Sequence, residues 1–137
     1  MVKAIVDAFN RRDWDAGFHA AAPGFKLDFS RARGPYRGVY RLDQARSFIE
    51  DFIATFESVG LEVDELIDAG EHVILLGTLY FRGRDQIEAT ASAKQVWTIR
   101  EGAVERFVMY QERQEALEAV GLEKVPEEGL EPPTRGL

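Results

Sequence analysis

The chain predicts an α+β fold: three N-terminal helices packed on one face of a strongly curved, mostly antiparallel sheet, with a conical pocket between them. Three observations carry this. Apolar residues recur at helical spacing in three segments upstream of Gly60. Long stretches rich in Val, Ile, Leu and Tyr follow, from Glu62 to Gln111. Gly70-Glu71 and Glu101-Gly102 separate those stretches as two-residue turns. Helices followed by antiparallel strands segregate to one side of the sheet.

Val2 to Arg11 reads as the first helix, with Ile5, Val6 and Phe9 on one face. Asp13 is suited to cap a second helix running to about Ala22, because its side chain accepts a backbone N–H two or three residues on. Pro23-Gly24 then ends that helix. Phe25 to Phe29 alternates as a half-buried strand does. Ser30 to Arg41 is a Gly-, Pro- and Arg-rich loop. Asp43 caps a third helix from Gln44 to about Ser58, whose broad apolar face holds Phe48, Ile49, Phe52, Ile53 and Phe56. Gly60 suits its C-terminal stop. Strands are expected over Glu62–Ala69, His72–Arg82, Gln86–Arg100 and Ala103–Gln111, and a last helix over Glu115–Val120. One domain therefore spans residues 1–122, and residues 123–137 form an acidic, Pro-rich tail with little to bury.

Composition excludes several function classes. The chain has 137 residues, 45% of them hydrophobic, enough for a core without staples. It has no cysteine and two histidines, His19 and His72, so no Cys-ligated metal and no ordinary zinc site is expected. The absence of cysteine is compatible with a reducing cytoplasm, the expected location. A net charge of −7 with scattered arginines shows no basic stripe for nucleic acid. No apolar run approaches a membrane span, and Lys3 and Asp7 interrupt any signal-peptide core. No glycine fingerprint between strand and helix supports nucleotide binding, and no cofactor is expected.

The blocks Phe9-Asn10-Arg11-Arg12-Asp13-Trp14-Asp15-Ala16, Gly38-Val39-Tyr40-Arg41 and Val96-Trp97-Thr98-Ile99-Arg100-Glu101-Gly102-Ala103-Val104 carry a resemblance. So do Tyr110 and the run Glu115-Ala116-Leu117-Glu118-Ala119. Through them the chain resembles the nuclear transport factor 2-like superfamily, and within it the SnoaL-like and ketosteroid-isomerase-like proteins. The resemblance implies a cystatin-like α+β cone, a small-molecule pocket and a homodimer packed through the sheet. It licenses a pocket and leaves the reaction open. It also implies that Asp28 falls where the isomerases hold their general base. Their oxyanion Tyr falls near Ile5, which has no donor, and their protonated Asp near Gln95, which still donates a neutral hydrogen bond. Steroid isomerisation is therefore not expected.

Asp28 lies among Phe25, Leu27 and Phe29, where desolvation suits a carboxylate to base chemistry. The plainer alternative is a strand-end Asp paired with a loop Arg. Arg106 shares an alternating face with Val104, Val108 and Tyr110, and the resemblance turns that face toward the cavity. There it would bind an anionic or enolate-like group, or pair with Asp28; at the rim it would only snorkel. Gln95 and Arg106 are the expected polarisers. Phe18, Phe48, Phe52, Trp97 and Tyr110 are the expected walls, with simple packing as the alternative for Trp97. Trp14 reads as packing between helices, His19 as a surface residue or a partner of Asp28, and His72 as solvated. Arg31, Arg33, Tyr36, Arg37 and Tyr40 make either a lid or a solvated connection. Two functions fit: a cofactor-independent isomerase or cyclase acting on an apolar carbonyl compound with Asp28 as base, or a non-catalytic ligand-binding or dimerisation module.

Overall fold

The computed structural model describes residues 1–32 and 35–122; Arg33 and the tail from Glu123 lie outside them. Helices α1 (Val2–Asn10), α2 (Trp14–Phe18) and α3 (Leu42–Ala54) pack on one face of a six-stranded sheet. Its strands are β1 (Ala21–Asp28), β2 (Val39–Arg41), β3 (Ser58–Ala69), β4 (His72–Arg82), β5 (Glu88–Arg100) and β6 (Ala103–Met109). Their order is β2-β1-β6-β5-β4-β3, antiparallel throughout except for the parallel β1–β6 pair. A fourth helix, α4 (Arg113–Ala119), covers the opposite face, where Ala116 and Leu117 pack on Ile74, Leu76 and Val96. The chain is thus an α+β cone, a curled and mostly antiparallel sheet closed by the three N-terminal helices. Among the described residues no helix is long and apolar enough to cross a membrane.

The two predicted turns form. Ala69 pairs with His72 across Gly70-Glu71. Arg100 pairs with Ala103 across Glu101-Gly102, whose φ values of 52° and 76° are those of a type I′ turn. Three boundaries move. Helix α2 stops at Phe18, and Pro23-Gly24 lies inside β1, where the register against β6 breaks between Ala21 and Lys26. An irregular strand segment tolerates a residue without an N–H, so the Pro-Gly signal marks a bulge here and no helix end. Helix α3 begins at Leu42, with Gln44 Oε1 accepting the Arg41 N–H at 3.1 Å, and Asp43 falls in its first turn. It ends at Ala54, because the chain from Ser58 onward pairs with β4; Gly60 lies in that strand opposite Tyr80. Strand β2, read as loop from sequence, pairs with the end of β1.

The Asn10-to-Trp14 block ties these layers together. The Asn10 side chain accepts the Leu61 N–H at 2.8 Å and donates to the Leu61 carbonyl at 3.0 Å, pinning α1 to β3. Arg12, at φ 60°, donates to the Glu57 carbonyl at 3.1 Å. Asp13 caps α2 through the Ala16 N–H at 3.1 Å, as expected.

Candidate functional site

A cavity of about 440 Å³ lies between the three helices and the sheet, within the range of roughly 300–1,000 Å³ usual for small-molecule sites. Helix α1 supplies Ile5, Val6 and Phe9, and α3 supplies Phe48, Ile49, Phe52 and Ile53. The sheet side faces them with Phe25 and Leu27 of β1, Phe29 just after it, Trp97 of β5, and Phe107 and Met109 of β6. Phe18 and Trp14 close the α2 side, Trp14 with its ring edge-on to Phe9 at 6.2 Å. Trp14 is therefore both helix packing and cavity wall. Phe48 stacks on Tyr40 at 4.7 Å, and Tyr36 meets Phe52 at 5.2 Å, so the loop after β1 forms one lip. Among the described residues no Asp, Glu, His, Lys or Arg side chain lines this cavity.

The polar exception at depth is Gln95, 6% exposed. Its Oε1 accepts the Trp97 indole N–H at 3.0 Å. An indole only donates, so this bond fixes which end of the amide is oxygen. The Nε2 amide is left toward the cavity without an acceptor among the described residues. A buried donor left unmade costs about 1–3 kcal/mol, and such exceptions are few in folded proteins.

The other predicted polar residues do not join Gln95. Asp28 and Arg106 meet each other, on the opposite face of the sheet, and neither lines the cavity. The alternation along β1 places Phe25, Leu27 and Phe29 inward and Lys26 and Asp28 outward. On β6 the expected face is corrected by a bulge. Ile99 pairs with Val104 but Thr98 with Arg106, so Glu105 is an extra residue. The inward set is consequently Val104, Phe107 and Met109, and Arg106, Val108 and Tyr110 turn outward. Tyr110 packs beside the α4 cluster with the Arg31 guanidinium 5.1 Å from its ring centre. Burial holds its phenol above the usual pKa, against the opposing pull of Arg31.

Asp28 is 7% exposed. Burial alone would raise its pKa. Hydrogen bonds from the Ser30 hydroxyl at 2.6 Å and the Ser30 N–H at 2.9 Å, with the Arg106 guanidinium bonded to the other oxygen, outweigh burial and hold it below the usual carboxylate range. The partner of this strand-end Asp is Arg106 of β6 and not a loop Arg, which is the pairing also considered for Arg106.

His19 is exposed at the end of α2, and His72 is half-buried with Nδ1 3.0 Å from Thr98 Oγ1 rather than solvated. Arg31 pairs with Glu115 at 3.4 Å, and the Tyr40 hydroxyl donates to the Tyr36 carbonyl at 2.8 Å. Sequence reasoning missed Tyr36, Phe29 and Phe107 as cavity walls. Strict alternation from Phe25 and Leu27 would have found Phe29; the bulge hid Phe107. No cluster of metal-ligating side chains occurs among the described residues.

A family model described as SnoaL-like domain matches residues 2–107. The chain belongs to the SnoaL-like domain family. No curated protein matches it. Solved structures place this SnoaL-like chain among the nuclear transport factor 2-like folds. An NTF2-like protein of unknown function from Burkholderia pseudomallei is 23% identical, with a TM-score of 0.68 over 88% of this chain and 94% of that one. A ketosteroid isomerase-like fold protein from Catenulispora acidiphila, solved with trimethylamine, is 15% identical, with a TM-score of 0.70 over 88% and 92%. A candidate polyketide cyclase from Xanthomonas campestris pv. campestris is 21% identical, with a TM-score of 0.64 over 88% and 93%. At these identities the likeness is one of fold, and the SnoaL-like chain shares with them a pocket-forming cone.

Proposed function

We propose that this SnoaL-like protein binds a compact, largely apolar compound bearing a carbonyl, with the carbonyl oxygen accepting a hydrogen bond from Gln95 Nε2. The observation that carries this reading is the Gln95 amide, oriented by Trp97 and left with a spare donor inside an aromatic cavity. Apolar walls supply affinity, and one placed polar group supplies orientation. Gln95 and Trp97 are among the most buried of the lining residues, while Tyr36, Ala91 and Ser92 are exposed, so the carbonyl enters first.

The binding reading is preferred over an isomerase or cyclase with Asp28 as base. The family resemblance and a neighbour described as a candidate polyketide cyclase favour the enzyme. The Asp28 carboxylate, however, is committed to Ser30 and Arg106 on the far face, and a base must reach the proton it removes.

The test uses an isosteric pair, 2-acetylnaphthalene and 2-isopropenylnaphthalene, titrated by calorimetry. The ketone should bind about fivefold more tightly, the worth of one neutral hydrogen bond of roughly 1 kcal/mol. Gln95→Leu frees the Trp97 N–H, which can itself donate, so the informative variant is Gln95→Leu with Trp97→Phe. There the preference should vanish, while Asp28→Asn should keep it. Equal binding of the two compounds by the wild type, or a preference that survives the double substitution, would contradict the proposal.

A further inference from the structure

A second, polar cleft opens beside the cavity. It is lined by Ser30, Arg31, Arg37, Glu112 and Glu115, and it shares Ala32 and Gln111 with the cavity wall. The two spaces therefore meet at the lip formed by the loop after β1. The charges in the cleft are unevenly engaged. The Glu115 carboxylate accepts the Glu112 N–H at 3.2 Å through one oxygen and faces Arg31 at 3.4 Å through the other. Arg31 also lies over the Tyr110 ring.

Arg37 has no such partner among the described residues. Every other arginine among the described residues has a carboxylate or a backbone carbonyl to donate to. In a chain of net charge −7, a guanidinium without a carboxylate among the described residues, at the junction of an apolar cavity and a polar cleft, needs an account. Its planar fork of donors matches a carboxylate or sulfonate bidentately.

Building on the cavity reading above, we infer that the ligand is polar at both ends: a carbonyl at the floor against Gln95, and an anionic group at the lip against Arg37. The apolar middle lies between the aromatic walls of α3 and the sheet. A neutral ketone would fill the cavity but leave the cleft to water. An anion without an apolar body would find only an exposed arginine beside two glutamates, and would bind poorly. The ligand class is thus an aromatic or alicyclic keto acid.

The test compares 6-acetyl-2-naphthoate with its methyl ester, titrated by calorimetry into the full chain at low salt. The two substituents lie at opposite ends of the bicycle. The wild type should prefer the acid by about threefold, the scale of an exposed ion pair, and added salt should erode that preference. Arg37→Gln should abolish the preference while leaving the affinity for the ester unchanged. Lys3→Gln, which removes the same charge from the exposed face of α1, should leave the preference intact. A wild type that binds acid and ester equally would overturn the inference, as would a preference that survives Arg37→Gln or is lost equally in Lys3→Gln. Binding of the ester with no preference for the acid overturns this inference alone; failure of both compounds to bind overturns the cavity reading with it.

Discussion

Three donors converge on the Asp28 carboxylate: the Ser30 hydroxyl, the Ser30 N–H and the Arg106 guanidinium. Each is lost or weakened when the carboxyl takes up a proton. The folded pKa lies below the unfolded value of about 3.9. The stabilisation is therefore complete above that value and disappears as pH falls through the folded pKa. Urea midpoints measured from pH 6 downward should fall more steeply below about pH 4 for the wild type than for Asp28→Asn; parallel acid slopes would contradict this. Gln95 is the counterpart on the inner face, where a neutral amide does not titrate, so binding through it should be flat over the same range. The sequence marked Asp28 as a carboxylate among apolar neighbours, and the family resemblance pointed to Gln95. It did not reveal that they face opposite ways, because that depends on how β6 is registered against its neighbours.

Register is a property of elements, and Glu105 shows its leverage. One extra residue between Val104 and Arg106 keeps Val104 inward, brings Phe107 to the cavity and sends Arg106 outward. A one-residue slip exchanges the two faces of a strand, and alternation read from sequence assumes that no slip occurs. The elements without bulges were legible. His72 to Arg82 pairs over its whole predicted length with β5, and both two-residue turns form where glycine supplies the positive φ. The helix ends were less so, since Gly60 and Pro23-Gly24 read as helix stops but lie in strands. Gly77 has the opposite character: its sequence context is unremarkable, yet its geometry is strict. A Cβ there would sit 2.3 Å from the Glu62 carbonyl oxygen, at the register break between Val63 and Glu65. Backbone cannot yield as a side-chain tip can. Gly77→Ala should cost about 1–3 kcal/mol, the range for overpacking, read as a lowered urea midpoint. A midpoint equal to that of the wild type would show that β3 shifts freely.

At the scale of the whole molecule the sheet separates two apolar assemblies. One surrounds the cavity with α1, α2 and α3; the other joins α4 to Ile74, Leu76 and Val96. The aromatic residues of α3 and β6 go to the side that stays open, while small and aliphatic residues, with Tyr110 packed beside them, close the other. Leu117, 2% exposed, anchors that closed side. Leu117→Ala should cost about 2–5 kcal/mol of stability, while the ketone preference at 25 °C should remain, since sites with no shared partners behave additively. Loss of the preference in a still-folded variant would show that the two assemblies are coupled. The central claim rests on one amide in the open assembly. Its most direct test is the side-chain ¹H–¹⁵N resonance of Gln95 during titration with 2-acetylnaphthalene and with 2-isopropenylnaphthalene. The account predicts that one Nε2 proton moves downfield with the ketone and not with the hydrocarbon. Equal movement with both compounds, or none with either at saturation, would contradict it.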